Sequence, residues 1–282
     1  MFKTSKRRFL IFQIAILLGF GSSFLRADVP TSELPILVGT EIQRIESEDI
    51  GDEFYFYVRV PPEAAIDPGR SFPVIYALDG DHSYPLMSSV ATQLGWSGSV
   101  PPVIIVGIGW GTLDLNGGNN RSRDLSPQPY SGAADSGGGP AFLKFLETEA
   151  FPLIEEEYPV DTDKRYLYGH SLGGLFSLYA YCEKPELFTG IVSGSPYLLG
   201  QLDFLSTAAA SFEGKRDCKL VVISGDEEGK AEFLDDLEPL EKLLETTWAT
   251  EGSYEITVLP GFDHFTMVAP SISMGLKSVF AE

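Results

Sequence analysis

The sequence predicts an α/β fold, a mostly parallel central sheet with helices on both faces. Three observations predict it. Short, largely apolar runs recur along the chain, helical periodicities separate them, and one such run passes through a Gly-x-Ser-x-Gly pentapeptide directly into a helical pattern. The 282 residues, 44% of them hydrophobic and 12% aromatic, supply enough apolar surface for one large core. No stretch after Asp28 has the composition of a linker, and no repeat recurs at solenoid or propeller periods, so residues 28–282 are expected to form one domain.

Residues 1–27 have a different character. Lys3, Lys6, Arg7 and Arg8 precede an apolar run from Phe9 to Phe20, followed by small residues up to Ala27, the pattern of a secretory signal cleaved before Asp28. Export to the periplasm or the medium follows from that reading. The alternative is a retained membrane anchor over Phe9 to Leu25, although Gly19, Gly21, Ser22 and Ser23 weaken its second half as a span. Cleavage removes five basic residues and no acidic one, taking the net charge from −20 to −25. A field of that sign repels nucleic-acid phosphates and anionic lipid surfaces, so neither is an expected partner, and no membrane insertion is expected after cleavage.

The strand candidates follow in order. Glu53 to Val60 alternates and is rich in Phe, Tyr and Val, the pattern of a strand with one face on the core. Pro73 to Leu78, Pro102 to Ile108, Arg165 to Tyr168, Ile191 to Ser193, Lys219 to Ile223 and Tyr254 to Leu259 are short runs; the most apolar suit strands buried on both faces. Between them lie helical patterns. These are Phe142, Leu143, Phe145, Leu146, Leu153 and Ile154; Leu172 to Tyr181; and Phe233, Leu237, Leu240, Leu244 and Trp248. Gly111 to Gly139 breaks the rhythm with a long series of turn formers. It follows a strand, and ligands in open α/β sheets bind at the carboxyl ends of strands, so this loop is read as a rim of the active site.

The chemistry centres on Gly169-His170-Ser171-Leu172-Gly173. A sharp strand-to-helix turn lifts a serine hydroxyl above the sheet, and glycines on either side remove side chains that would collide there. Ser171 is therefore the candidate nucleophile. A serine hydroxyl needs a neutral imidazole to take its proton. Of three histidines, His170 adjoins the serine and should point elsewhere, as a packed or partly exposed residue, and His82 reads as a loop-surface residue, with a substrate contact as the alternative. His264, after the last strand candidate, is left as the base. The acid should lie between Ser171 and His264 in the order used by α/β-hydrolases, which places it in the acidic loop Asp226-Glu227-Glu228, and all three are candidates. The oxyanion needs two backbone donors. The Leu172 N–H is one, and the other should come from Asp79-Gly80-Asp81.

With these residues in place, the chain resembles the esterase family of α/β-hydrolases that includes siderophore (enterochelin-type) esterases, feruloyl esterases and, more distantly, mycolyltransferases. The resemblance runs from about Glu41 to the C-terminus. It rests on Pro73 to Asp81, Arg121-Ser122-Arg123-Asp124-Leu125-Ser126-Pro127, Gly138-Gly139 leading into Phe142-Leu143, Gly169 to Gly174, Lys184 to Phe188, and His264-Phe265. It implies an α/β-hydrolase fold with no large cap domain. It also implies that the acid is Glu228, three residues past the glycine ending the strand, and that Asp81 supplies the second oxyanion N–H. Siderophore-type members often carry Ser-Pro-Ser-Leu-Trp-Trp where this chain has Ser195-Pro196-Tyr197-Leu198-Leu199, so the aromatics that would border an acyl pocket are missing from that run.

The expected activity is hydrolysis of a small-molecule carboxylic ester, a siderophore, acyl-sugar or aryl ester, with no metal and no organic cofactor. Arg121 and Arg123 are the candidate substrate-binding residues, because an anionic substrate would need a local positive site in so acidic a protein; pairing with Asp124 and other carboxylates is the competing reading. An acyltransferase, in which an alcohol rather than water resolves the acyl-enzyme, and a non-catalytic binding protein on the same scaffold are the alternatives. Two cysteines, Cys182 and Cys218, exclude a four-cysteine zinc site and leave a single disulfide open.

Overall fold

The computed structural model describes residues 39–113, 119–214, 217–248 and 253–281. The expected signal segment lies outside them, as do residues 114–118 of the long loop. Among the described residues, eight strands form one sheet in the order β1-β2-β4-β3-β5-β6-β7-β8: β1 (Thr40–Glu46), β2 (Glu53–Arg59), β3 (Phe72–Ala77), β4 (Ile104–Gly109), β5 (Val160–His170), β6 (Gly190–Gly194), β7 (Lys219–Gly225) and β8 (Ser253–Leu259). β2 is antiparallel to both β1 and β4, and β3 through β8 run parallel. The interleaved helices are α1 (Glu63–Ile66), α2 (Gly80–Trp96), α3 (Arg121–Asp124), α4 (Gly139–Phe145), α5 (Phe151–Glu157), α6 (Leu172–Glu183), α7 (Leu202–Ser211), α8 (Leu237–Trp248) and α9 (Val268–Val279). A π-helical turn, Leu146–Ala150, joins α4 to α5, so the single helical pattern read there is one helical arm.

The two faces of the sheet carry separate cores. One holds Phe54, Phe56, Val74, Tyr76, Phe142, Phe145, Phe176 and Leu240. The other packs α2 and α9 through Tyr84, Met87, Ile272 and Leu276 against Ile75, Ile105 and Tyr168. β2 shows why its sequence alternates: Phe54, Phe56 and Val58 are fully buried while the residues between are half-buried. β3 and β4 are buried on both faces, as their unbroken apolar runs require.

Six elements have no counterpart in the sequence patterns: β1, α2, α7, α9 and the short helices α1 and α3. α2 is the instructive case. Its buried face, Gly80, Ser83, Tyr84, Met87, Ser88, Ala91 and Leu94, is half small or polar, and Pro85 lies inside it, so no apolar ladder announces a helix. Cys182 and Cys218 are both buried and are not joined in a disulfide. Burial alone pushes the Cys218 thiol well above its usual value, which keeps it an unreactive thiol.

Candidate active site

The parallel strands end along one edge, and the candidate residues collect there. β5 turns into α6 at Ser171, a non-glycine residue held at φ 62° and ψ −119°. The surroundings enforce that strain. Ser171 N–H donates to Gly194 O at 3.0 Å, and the serine carbonyl accepts from Leu175 N at 2.9 Å and Tyr197 N at 3.2 Å. A Cβ on Gly169 would sit 2.1 Å from the Gly173 carbonyl oxygen, so no other residue fits below the turn. Gly169 is thus a steric requirement of the turn, whereas at Gly173 the expected collision is absent: a Cβ there would meet no atom closer than 3.3 Å.

The acid loop follows β7. Glu228 is buried, whereas Asp226 and Glu227 are exposed. His264 Nδ1 donates to Glu228 Oε2 at 2.9 Å. Oε1 of the same carboxylate accepts from Ser195 Oγ at 2.7 Å and from Gly225 N at 2.6 Å. Burial alone would raise the Glu228 pKa, but His264, the Gly225 amide and Ser195 outweigh it and hold the carboxyl below its usual range. Asp226 serves the site indirectly, since its Oδ1 accepts from Gly261 N at 2.7 Å and so fastens the acid loop to the turn that carries His264. That turn is further fixed by Asp263, whose Oδ1 accepts from Phe265 N and Thr266 N.

His264 has two rings close to it. Phe233 stacks on it at 4.1 Å, and His170 lies at 4.7 Å with its ring tilted by 35°. His170 is half-buried, within the packed or partly exposed range its sequence position allows, but its place against His264 has no signal in the sequence. Burial lowers its pKa to about 4, helped by repulsion from a charged His264, so it is neutral at ordinary pH. Tyr197 meets Phe233 edge-on and Tyr130 at 5.7 Å, and Phe265 projects beside His264 at 80% exposure. An aromatic wall therefore stands beside the site even without the tryptophans of the siderophore-type run.

No hydrogen bond joins Ser171 to His264 among the described residues. Glu228 and His264 are brought together, while Ser171 is placed beside them through the β5–β6 exit and His170. After β3 the chain turns at Asp79, which precedes α2 and lies in the left-handed region at φ 53°, and α2 begins next to α6. A Cβ on Gly173 would lie 3.3 Å from Asp79 Oδ2 and 3.5 Å from Leu78, which measures how closely the two helix starts approach. The N–H groups of Leu172 and Asp81 meet no acceptor among the described residues.

Both arginines are engaged by carboxylates. Arg121 grips Asp79 through Nε at 2.7 Å and Nη2 at 2.8 Å, leaving Nη1 as the nitrogen Asp79 does not use. Arg123 binds Asp124 at 2.7 Å and Asp52 at 3.0 Å, and Asp124 also accepts from Trp110 Nε1. His82 is exposed on the first turn of α2. No group of three or more His, Cys, Asp or Glu side chains among the described residues is arranged to hold a metal. Ser195 and Phe233 are site residues the sequence reading missed. The Ser195-Pro196 step directly after a strand was the available signal, and its serine takes φ 41°.

Strand order, elbow and helix placement define an α/β-hydrolase. Residues 47–253 match the family described as "Putative esterase", and the chain belongs to it. It is 30% identical over 184 residues, 61% of this chain and 63% of the relative, to ferri-bacillibactin esterase BesA of Bacillus subtilis. It is 32% identical over 186 residues, 61% of this chain and 56% of the relative, to the apo-salmochelin esterase of Escherichia coli. The match thus spans somewhat under two thirds of these relatives. Among solved structures, the BES protein from Bacillus cereus superposes with a TM-score of 0.73 at 24% identity, over 86% of this chain and 95% of that one. Siderophore hydrolase EstA from Aspergillus nidulans does so at 0.73 and 21%, over 86% and 94%.

Proposed function

We propose that this chain is an exported serine esterase that cleaves a small-molecule carboxylic ester through an acyl-enzyme. The observation that carries the reading is the Glu228–His264 hydrogen bond formed beside a serine held at φ 62° on a strand-to-helix turn. Family membership supports the reaction class.

Ser171 Oγ attacks the ester carbonyl as His264 Nε2 takes its proton. Glu228 keeps the Nδ1 proton in place and stabilises the imidazolium. The Leu172 and Asp81 N–H groups receive the developing oxyanion. His264 then returns the proton to the alcohol, which leaves. Water attacks the acyl-enzyme with its proton going to His264, and collapse of the second tetrahedral intermediate releases the acid and returns that proton to Ser171. No step calls for a metal or an organic cofactor.

The named relatives act on siderophores, and the wall of Tyr130, Tyr197, Phe233 and Phe265 suits an aromatic acyl group. The carboxylates on Arg121 and Arg123 offset much of the positive charge an anionic substrate would use, so contact would fall to Arg121 Nη1. A hydrolysis screen over short acyl esters, feruloyl sugars and catecholate siderophores, run on wild type and Ser171→Ala, tests the reading. Turnover of one class by wild type alone supports it, and equal turnover by both proteins refutes it.

A further inference from the structure

The side chain of Asp81 is used in a way its proposed role does not require. Tyr57 Oη donates to its Oδ1 at 2.6 Å, Gly111 N to the same oxygen at 3.0 Å, and Trp110 N to Oδ2 at 2.7 Å. This carboxylate at the start of α2 is therefore bound to β2 and to the exit of β4. The neighbouring backbone is shaped to allow it. A Cβ on Gly109 would lie 2.5 Å from Asp81 Oδ2, and one on Gly80 would lie 2.6 Å from the Gly107–Ile108 peptide, so only glycines let the turn seat against β4. The same long loop holds the other end of the turn, where Arg121 grips Asp79 with two hydrogen bonds.

We propose that Tyr57 and the Asp81 carboxylate form a latch that positions the Asp81 N–H as an oxyanion donor. This rests on the serine-esterase reading above. Asp79 sits in left-handed backbone, a conformation that persists only where surroundings impose it, and a donor aimed at an oxyanion must not reorient as charge develops. Three hydrogen bonds on one side chain fix the rotation of the peptide that bears the N–H. Tyr57 is a positioning residue: it acts through Asp81 and needs no contact with the substrate.

Tyr57→Phe removes one hydroxyl and keeps the ring against Tyr84, which it meets at 5.7 Å. The expected result is a fall in kcat of about tenfold with KM unchanged, a smaller effect than the roughly 10²–10³-fold typical of deleting an oxyanion donor outright. Asp81→Asn, which presents an N–H₂ group to a site holding three donors, should fall further. Inhibition by phenylboronic acid, whose tetrahedral serine adduct places an oxygen in the oxyanion position, should weaken in parallel with kcat, whereas a purely structural role would lower stability without separating inhibitor affinity from KM. Fluorophosphonate labelling of wild-type Ser171 separates the two ways to fail. If wild type is labelled and Tyr57→Phe keeps wild-type kcat and boronate affinity, the latch is wrong and the esterase reading stands. If wild-type Ser171 is not labelled, the esterase reading falls and takes the latch with it.

Discussion

Glu228 Oε2 lies 2.9 Å from His264 Nδ1, while its other oxygen accepts from Ser195 Oγ and Gly225 N. A carboxylate with three donors in place cannot rotate away from the imidazole, and its orientation is set before any substrate arrives. Glu228→Gln should lower kcat by about 10²–10⁴-fold with far less effect on KM, because the amide can present an N–H₂ group to Nδ1 and favour the wrong tautomer. Glu227→Gln, at an exposed position, should stay within a few-fold of wild type. Steady-state kinetics on the two variants decides between the acids.

Ser195 should matter although its hydrogen bonds go to Glu228 and Ile223, not to Ser171 or His264. Ser195→Ala leaves Glu228 Oε1 with one donor fewer in a buried site, and a hydrogen bond to a charged group contributes about 1.5–3 kcal/mol. A drop of several degrees in Tm with a fall in kcat of tenfold or less is expected. An unchanged Tm in a calorimetric scan would contradict it.

Acid should destabilise the protein through His170 and Glu228 in successive windows. The folded-state pKa of His170 is lowered from 6.5 to about 4, so between those values the unfolded chain binds a proton that the folded chain refuses, and stability falls as pH drops from 6.5 toward 4. The effect is on the order of 3 kcal/mol. The folded pKa of Glu228 is lowered too, so its contribution is full above the unfolded carboxyl value and disappears as pH falls through the folded one. Tm measured from pH 7 to 5 should decline less steeply in His170→Phe than in wild type; equal slopes would contradict the assignment.

Breaking the Arg121–Asp79 pair should be costly, since the two side chains are only 15% and 13% exposed. Arg121→Ala leaves a largely buried carboxylate uncompensated and should cost about 3 kcal/mol. Arg121→Lys should recover part of this, because one ammonium cannot reproduce the two parallel hydrogen bonds. Denaturant unfolding of both variants provides the comparison.

Much of this was legible in the sequence because strand patterning and the serine turn are local. The alternation from Glu53 and the unbroken apolar runs of β3 and β4 marked strands directly, and Gly169 to Gly173 marked a turn whose first glycine leaves no room for a Cβ. Spacing did not say which of three adjacent acids faces His264. The family resemblance pointed to Glu228, and burial together with contact distinguishes it from Asp226 and Glu227. What stayed hidden depends on distant partners. α2 buries serines and carries Pro85, His170 finds the ring of the far-off His264, and Arg121 reaches a carboxylate across 42 residues, none of which leaves a local pattern.

Whether Ser171 is a nucleophile activated by His264 is read most simply by covalent labelling. Wild type, Ser171→Ala and His264→Ala would be incubated with a fluorophosphonate at neutral pH and followed by intact-mass and peptide mass spectrometry. One adduct on Ser171 is expected in wild type, none in Ser171→Ala, and labelling slowed by orders of magnitude in His264→Ala. Absence of an adduct in wild type, or equal labelling rates in wild type and His264→Ala, would contradict the activated serine.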